Sequence, residues 1–204
     1  MKTLPERSRR RLVLLTQLLS QLERDTITSL EIEKLTGWSN SVIRRDISMI
    51  GCICGASNGY HVDVLLKMLK KAIGEDGSHE KKCCLVGLGK IGEALCTGDM
   101  LENSSFKLVA GFDESVNKTE VIKASCPLYP TTKLEDVIKS QGIRYALLAV
   151  PETEAQQTAK RLIECGIRGI VNYTNTVLIV DEGIAVENVA PRTALNVLAA
   201  AIEE

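Results

Sequence analysis

Gly87, Gly89 and Gly92 form a G-x-G-x-x-G turn between the apolar run Lys81–Val86 and a helix-forming stretch that opens at Lys90 and Ile91. Each glycine has its own task in such a turn. The first makes the tight bend, the second lets backbone approach a pyrophosphate, and the third lets helix and strand pack closely. The N–H groups at the helix start then attract phosphate charge. Asp113 ends the next apolar run, 21 residues beyond Gly92. A carboxylate so placed accepts from ribose hydroxyls and repels a 2′-phosphate, which favours NAD(H) over NADP(H). The next cation in the chain is Lys118. Asp113 can also be read as an acid that caps its own loop. Pro151, after a strand end, either lines the same crevice beside Val150 or starts a helix.

A second constellation is basic. Arg7, Arg9, Arg10 and Arg11 crowd the start of the first helical stretch. Cations there oppose the helix dipole, and a nearby phosphate backbone would supply the reason. Arg44 and Arg45 lie on a later short helix whose inward stripe is Val42, Ile43, Ile47 and Ile50. They face out with Ser48, either toward DNA or simply toward solvent, with Asp46 available to pair with one of them.

Composition narrows the chemistry. With 204 residues, 45% hydrophobic and 25% charged, the chain is a globular one with room for two small domains. Two histidines, His61 and His79, leave almost nothing for a histidine-based catalytic or metal site. Seven aromatic residues are too few for stacking platforms along single-stranded nucleic acid. The seven cysteines are scattered, odd in number and without a C-x-x-C pair, which reads as reduced cytoplasmic thiols. Cys52 and Cys54 alone do not hold zinc, though a redox or metal role is open to them. No apolar run is long enough for a membrane span. No catalytic set is expected.

Charge divides the molecule. Residues 1–73 carry 12 Lys and Arg against 7 Asp and Glu, and residues 74–204 carry 13 against 19. The polar, glycine-containing stretch 74–80 lies between them. A small basic domain therefore precedes a larger acidic one, and with the patterns that follow three parts are expected: a winged helix-turn-helix DNA-binding domain over 1–74, a dinucleotide-binding domain over 81–190, and an apolar C-terminal helix over 191–204.

In the basic part Leu12, Leu15, Leu19 and Leu22 form a helical stripe widened by Val13 and Leu18. Thr28 and Glu31 make a capping box for a helix with Leu30, Ile32 and Leu35 inside and Gly37 at its end. Ser39 or Ser41 caps the next helix, and two short helices across a glycine turn describe a helix-turn-helix. Ile53 and Tyr60–Val62 are expected as two strands around the flexible tip 55–59, followed by a helix over 64–73. In the acidic part strands 81–86, 107–113, 144–150 and 169–173 alternate with helices after Gly89, over 132–141 and over 152–165. This predicts an α/β fold, a Rossmann-type doubly wound parallel sheet. The stretch 191–202 is apolar nearly all round and predicts a helix buried on every side, between domains or in a second subunit.

The whole arrangement resembles the Rex family of redox-sensing repressors, from about Leu12 to Leu198. The resemblance rests on Val42-Ile43-Arg44-Arg45-Asp46-Ile47, Gly59-Tyr60-His61-Val62, Val86 to Gly92 and Gly111-Phe112-Asp113. Further on it rests on Val150-Pro151, Gly166 to Asn172 and Ala185-Val186-Glu187-Asn188-Val189. It implies a homodimer that swaps C-terminal helices, binds palindromic double-stranded operator DNA, and releases it when NADH displaces NAD. It implies cofactor contacts from Gly87, Gly89, Lys90, Ile91, Gly92, Asp113, Val150 and Pro151. For DNA it implies Arg9, Arg10, Ser41, Arg44, Arg45, Ser48 and Asn58. The chain departs from the family pattern at three places. Ala56 stands where the wing carries a basic tip, Asn172-Tyr173-Thr174-Asn175 replaces Asn-Phe-Ala-Pro, and Ala190 occupies the position of the family's acidic switch residue. Two other readings remain: an NAD-dependent Rossmann oxidoreductase, and a dimer of the same fold that has lost responsiveness.

Overall fold

The computed structural model describes residues 4–52, 59–102 and 104–202, and divides the chain into two compact units, Met1–His79 and Glu80–Glu204. The first unit is built on α1 (Glu6–Ser20), whose Leu12, Leu15 and Leu19 are buried and which packs on α4 (Val62–Ile73) through Leu65 and Leu69. Val13, expected in the same stripe, turns outward. After β1 (Thr26–Ile27) come α2 (Ser29–Thr36) and α3 (Asn40–Met49), joined across Gly37 at φ 72°.

The Thr28–Glu31 capping box forms in full, with the Thr28 N–H donating to Glu31 at 2.7 Å and the Glu31 N–H to Thr28 Oγ1 at 3.2 Å. The inward face of α2 differs from expectation. Leu30 and Leu35 are exposed, and the buried stripe runs through Ser29 and Ile32. Helical geometry puts Leu30 about 200° round from Ile32, so an eight-residue helix cannot bury both. Ser39 is the N-cap of α3 but its hydroxyl makes no cap bond; it faces the Ser41 hydroxyl at 3.2 Å. The strand β2 (Tyr60–His61) pairs antiparallel with β1, Ile27 opposite Tyr60. The expected partner Ile53 and the tip residues Gly55, Ala56 and Asn58 lie outside the described residues, as does Cys54. The helix expected at Val64 starts two residues earlier, at Val62.

The second unit holds a six-stranded sheet of β3 (Lys81–Val86), β4 (Phe106–Asp113), β5 (Leu128–Pro130), β6 (Tyr145–Leu148), β7 (Gly169–Asn172) and β8 (Ala185–Asn188). Every pairing is parallel and the order is β5-β4-β3-β6-β7-β8. The chain thus winds outward from β3 in one direction, then returns to β6 and winds outward in the other. That is the doubly wound order of dinucleotide-binding sheets, with its ligand crevice at the switch point between β3 and β6.

Helices α5 (Lys90–Thr97), α6 (Val116–Val121), α7 (Leu134–Gln141) and α8 (Glu152–Glu164) connect the strands. Residue alternation in β3 sends Cys84 and Val86 to the face covered by α7 and α8, and Leu85 to the face shared with Leu95 and Cys96 of α5. The helix expected from Thr132 begins as a 3-10 turn, Thr131–Lys133, before α7. The strand expected to reach Val150 stops at Leu148. The short elements β5, α6 and β8 were not foreseen, and β7 passes to β8 without a helix.

The last helix, α9 (Pro191–Ala201), forms as expected, but none of its residues is buried in the single chain. Leu195, Val197, Leu198 and the following Ile202 are all more than half exposed. Among the described residues no helix is long and apolar enough to cross a membrane.

Candidate functional site

The glycine turn sits at the carboxyl end of β3, at the switch point. Gly87 has φ 96° and packs on the Ala149–Val150 peptide beyond β6, so a Cβ there would strike backbone. Val150 thus lies beside the turn. A Cβ on Gly92 would strike the Gly87 carbonyl oxygen, so the third glycine is what lets α5 start against the strand. Gly89 is different. A Cβ on it would meet nothing within 4 Å. It is the N-cap of α5, exposed like Lys90 and Ile91, and its side of the turn is the open one. The first amides of α5 have no carbonyl within the helix to receive them, which leaves donors for phosphate oxygens. An open second glycine between two closed ones is the shape a pyrophosphate requires.

Asp113, at the end of β4, is almost buried and is drawn onto this turn. Its Oδ2 accepts the Leu88 N–H at 2.6 Å and its Oδ1 accepts the Ser115 N–H at 2.8 Å. The loop-capping reading of this residue therefore describes real bonds, and the same bonds hold the carboxylate beside the turn. Lys118 of α6 also reaches it, Nζ to Oδ2 at 3.2 Å. Pro151 is exposed and is the N-cap of α8, so its helix-start reading holds.

The loop after β7 completes the carboxyl edge of the sheet. Asn172, fully buried, donates through Nδ2 to the Thr176 carbonyl at 2.8 Å and to Asn188 Oδ1 at 2.9 Å. Its Oδ1 accepts the Thr174 N–H and hydroxyl at 3.1 and 2.8 Å. Glu152 accepts from Asn175, and Gln156 exchanges two bonds of 2.9 Å with the Ile179 backbone. The beginning of α8 thus fixes the loop. Burial pushes the Tyr173 hydroxyl pKa up and packs its ring in the cluster that contains Leu88. The organising roles of Lys118, Asn172 and Gln156 were missed. Asn172 left a signal through its place at the end of the stretch from Gly166, and Lys118 as the first cation after Asp113; Gln156 left none.

In the first unit α3 presents Arg44, Arg45, Ser41 and Ser48 on its exposed face. Asp46 does not pair with either neighbour. It is buried and takes Arg11 of α1, with Arg11 Nε to Oδ2 at 2.6 Å and Nη2 to Oδ1 at 3.1 Å. Arg11 therefore leaves the N-terminal arginine cluster, while Arg44 leans on Ser29 Oγ at 3.1 Å. Arg9 and Arg10 are exposed, and Arg10 sits 3.6 Å from Glu6. Among the described residues no group of three or more His, Cys, Asp or Glu could hold a metal ion.

Residues 78–176 match the CoA binding domain family. A redox-sensing transcriptional repressor Rex of Ligilactobacillus salivarius is 32% identical over 173 residues, covering 85% of this chain and 80% of that protein. The chain belongs to the Rex family. A Rex of Listeria welshimeri is 29% identical over 198 residues, 96% of this chain and 91% of that protein. Among solved structures, RSP, a Rex-family repressor, superposes with a TM-score of 0.85 at 27% identity, covering 98% of this chain and 94% of that one. RSP in complex with NAD+ and operator DNA superposes with a TM-score of 0.87, covering 98% and 92%. Ala190, expected in the place of the family's acidic switch residue, is buried at the N-cap of α9.

Proposed function

We propose that the protein is a homodimeric transcriptional regulator that binds a palindromic operator and reads the NADH/NAD state of the cytoplasm. The observation that carries this reading is the match of almost the whole chain to a repressor solved with both NAD+ and operator DNA. Gly87, Gly89, Lys90, Ile91 and Gly92 cradle the pyrophosphate. Asp113 reads the adenosine ribose, and Val150 and Pro151 line the crevice. On DNA, Arg44, Arg45, Ser41 and Ser48 of α3 enter the major groove, Arg9 and Arg10 meet phosphates, and Asn58 belongs to the wing. The helix α9 supplies the dimer contact.

Hydride-transfer catalysis is disfavoured because both histidines, His61 and His79, belong to the first unit and none to the unit that carries the glycine turn. The protein regulates rather than turns over its dinucleotide. A dimer without responsiveness is favoured only by Ala56 and Ala190, and it predicts DNA binding indifferent to cofactor. With Ala190 in the switch position NADH shifts operator affinity weakly. A complete shift from 1:99 to 99:1 needs about 5.5 kcal/mol of differential binding, and one missing charge pair removes a good part of it.

The experiment is selection of DNA by the purified full-length protein with NADH, with NAD and with neither. The selected operator is then titrated with NADH. A palindrome with half-sites one or two helical turns apart is expected, with partial release by NADH. No enriched sequence under any condition would overturn the reading. Complete release at modest excess would show that Ala190 leaves the switch intact.

A further inference from the structure

The two neighbouring arginines on the exposed face of α3 are held differently. Arg45 has no side-chain hydrogen bond or ion pair among the described residues. Arg44 donates from Nε to Ser29 Oγ, 15 positions back in the chain, at 3.1 Å. Ser29 is the first residue of α2 and only 5% exposed. Its hydroxyl is not spent on the helix start, because Thr28 and Glu31 close the capping box between themselves. That box fixes the first turn of α2, and α2 packs on α3 across Gly37, so the oxygen that Arg44 meets stands at a set place. Burial raises the pKa of the Tyr60 hydroxyl and the Arg44 charge opposes the shift, which places the guanidinium near β2 as well.

The bond decides what Arg44 can offer. A guanidinium carries five N–H donors in one rigid plane. With Nε engaged on Ser29, the Nη1 and Nη2 groups remain, and the plane in which they lie is fixed by the anchored Nε. Arg44 is exposed beyond that anchor. A phosphate accepts donors from many directions, so a fixed plane gains little there. A base edge is read only in its own plane, and two parallel donors match O6 and N7 of guanine in the major groove. An arginine already braced also loses less side-chain freedom when it docks.

We propose that Ser29 is a positioning residue for base recognition, aiming the terminal fork of Arg44 at one guanine in each half-site. Arg44 touches the base, and Ser29 acts through it. The proposal rests on the DNA-binding reading above and deepens it by naming what makes one of the two arginines selective.

The test uses the full-length protein on its selected operator, on operators with one base pair of each half-site replaced in turn, and on scrambled DNA. Arg44→Ala identifies the guanine that Arg44 reads. Ser29→Ala is expected to reduce the preference for that guanine about three- to tenfold, the scale of ordering one long side chain. It leaves affinity for scrambled DNA and the salt slope unchanged, since no charge is lost. Its melting temperature is also unchanged, because water takes the place of Ser29 on the exposed Arg44. Added to Arg44→Ala, the same substitution has no further effect on discrimination. Arg44→Lys keeps the charge and loses the fork, so it retains the salt slope and loses the guanine preference. A Ser29→Ala protein with full guanine preference would overturn the proposal. Equal weakening on operator and scrambled DNA, or an undiminished effect in the Arg44→Ala background, would show a merely structural residue and overturn it too. If wild type selects no DNA, the DNA-binding reading falls first and this one with it.

Discussion

Arg11 of α1 and Asp46 of α3 grip each other through two bonds, 2.6 and 3.1 Å long, with the carboxylate 4% exposed. The pair ties the first helix to the candidate recognition helix from the inside. It also takes Asp46 away from Arg44 and Arg45, whose charge is left on the outer face.

Breaking this pair is expected to destabilise the first unit sharply. Arg11→Ala leaves a buried carboxylate without its partner, a loss of about 3–5 kcal/mol. Arg11→Ala with Asp46→Ala should recover part of it, since no charge then remains buried. Urea unfolding of the single and double variants measures the coupling, and additive effects would show that the pair does not act as a unit.

Arg45→Ala and Arg9→Ala should weaken DNA binding in different ways. A side chain at a base edge carries roughly 1–3 kcal/mol of discrimination, so Arg45→Ala relaxes specificity at one position of each half-site. Arg9→Ala lowers affinity for all sequences and flattens the salt dependence by about one ion. Binding isotherms at several salt concentrations, on the selected operator and on scrambled DNA, separate the two patterns.

Gly89→Ala and Gly92→Ala should fail for opposite reasons. The Gly89 methyl group points into open space, so the protein folds with unchanged stability while NADH affinity falls. The Gly92 methyl group strikes the Gly87 carbonyl and disrupts the turn itself. Thermal melting together with NADH calorimetry checks both. Unchanged NADH affinity in a folded Gly89→Ala protein would remove the turn from the binding site.

Removing 191–204 should abolish the dimer. Fully burying a side chain such as Leu195, Val197, Leu198 or Ile202 gains about 1.5–3 kcal/mol each, and in the single chain each is still more than half exposed. Sedimentation of the truncated protein is expected to show monomer or aggregate in place of dimer. A soluble dimer of unchanged affinity would place the interface elsewhere.

Alkaline pH should erode the second unit through its thiols. Burial pushes the Cys83 thiol up to about 12 and the Cys126 thiol up to about 11, from an ordinary value of 9.0. Their contribution is fully present below pH 9. Above it the unfolded chain has released protons that the native chain still holds, so stability falls by about 1.4 kcal/mol per pH unit for the buried Cys83 until its native value is passed, and by less for Cys126, which solvent partly screens. Urea midpoints between pH 8 and 11 measure the slope, which Cys126→Ala should make shallower.

Much of this molecule is written in local pattern. The capping box at Thr28 and Glu31, the glycine stop at Gly37 and the spacing of Gly87, Gly89, Gly92 and Asp113 are short-range rules, and neighbouring residues satisfy them. The alternation of long apolar strands with amphipathic helices likewise announces a parallel sheet, because each strand must be covered on both faces. What depended on distant residues could not be read this way. Tyr60 pairs with Ile27, far back in the chain, and β8 is four residues long at a sheet edge with no apolar run to mark it. Asp46 chose an arginine 35 positions away over its neighbours because burial, and not proximity in the chain, makes a carboxylate demand a full partner. Lys118 is the plainest case. In the sequence it is simply the first cation after Asp113, and only folding α6 back over the end of β4 sets its charge on that carboxylate.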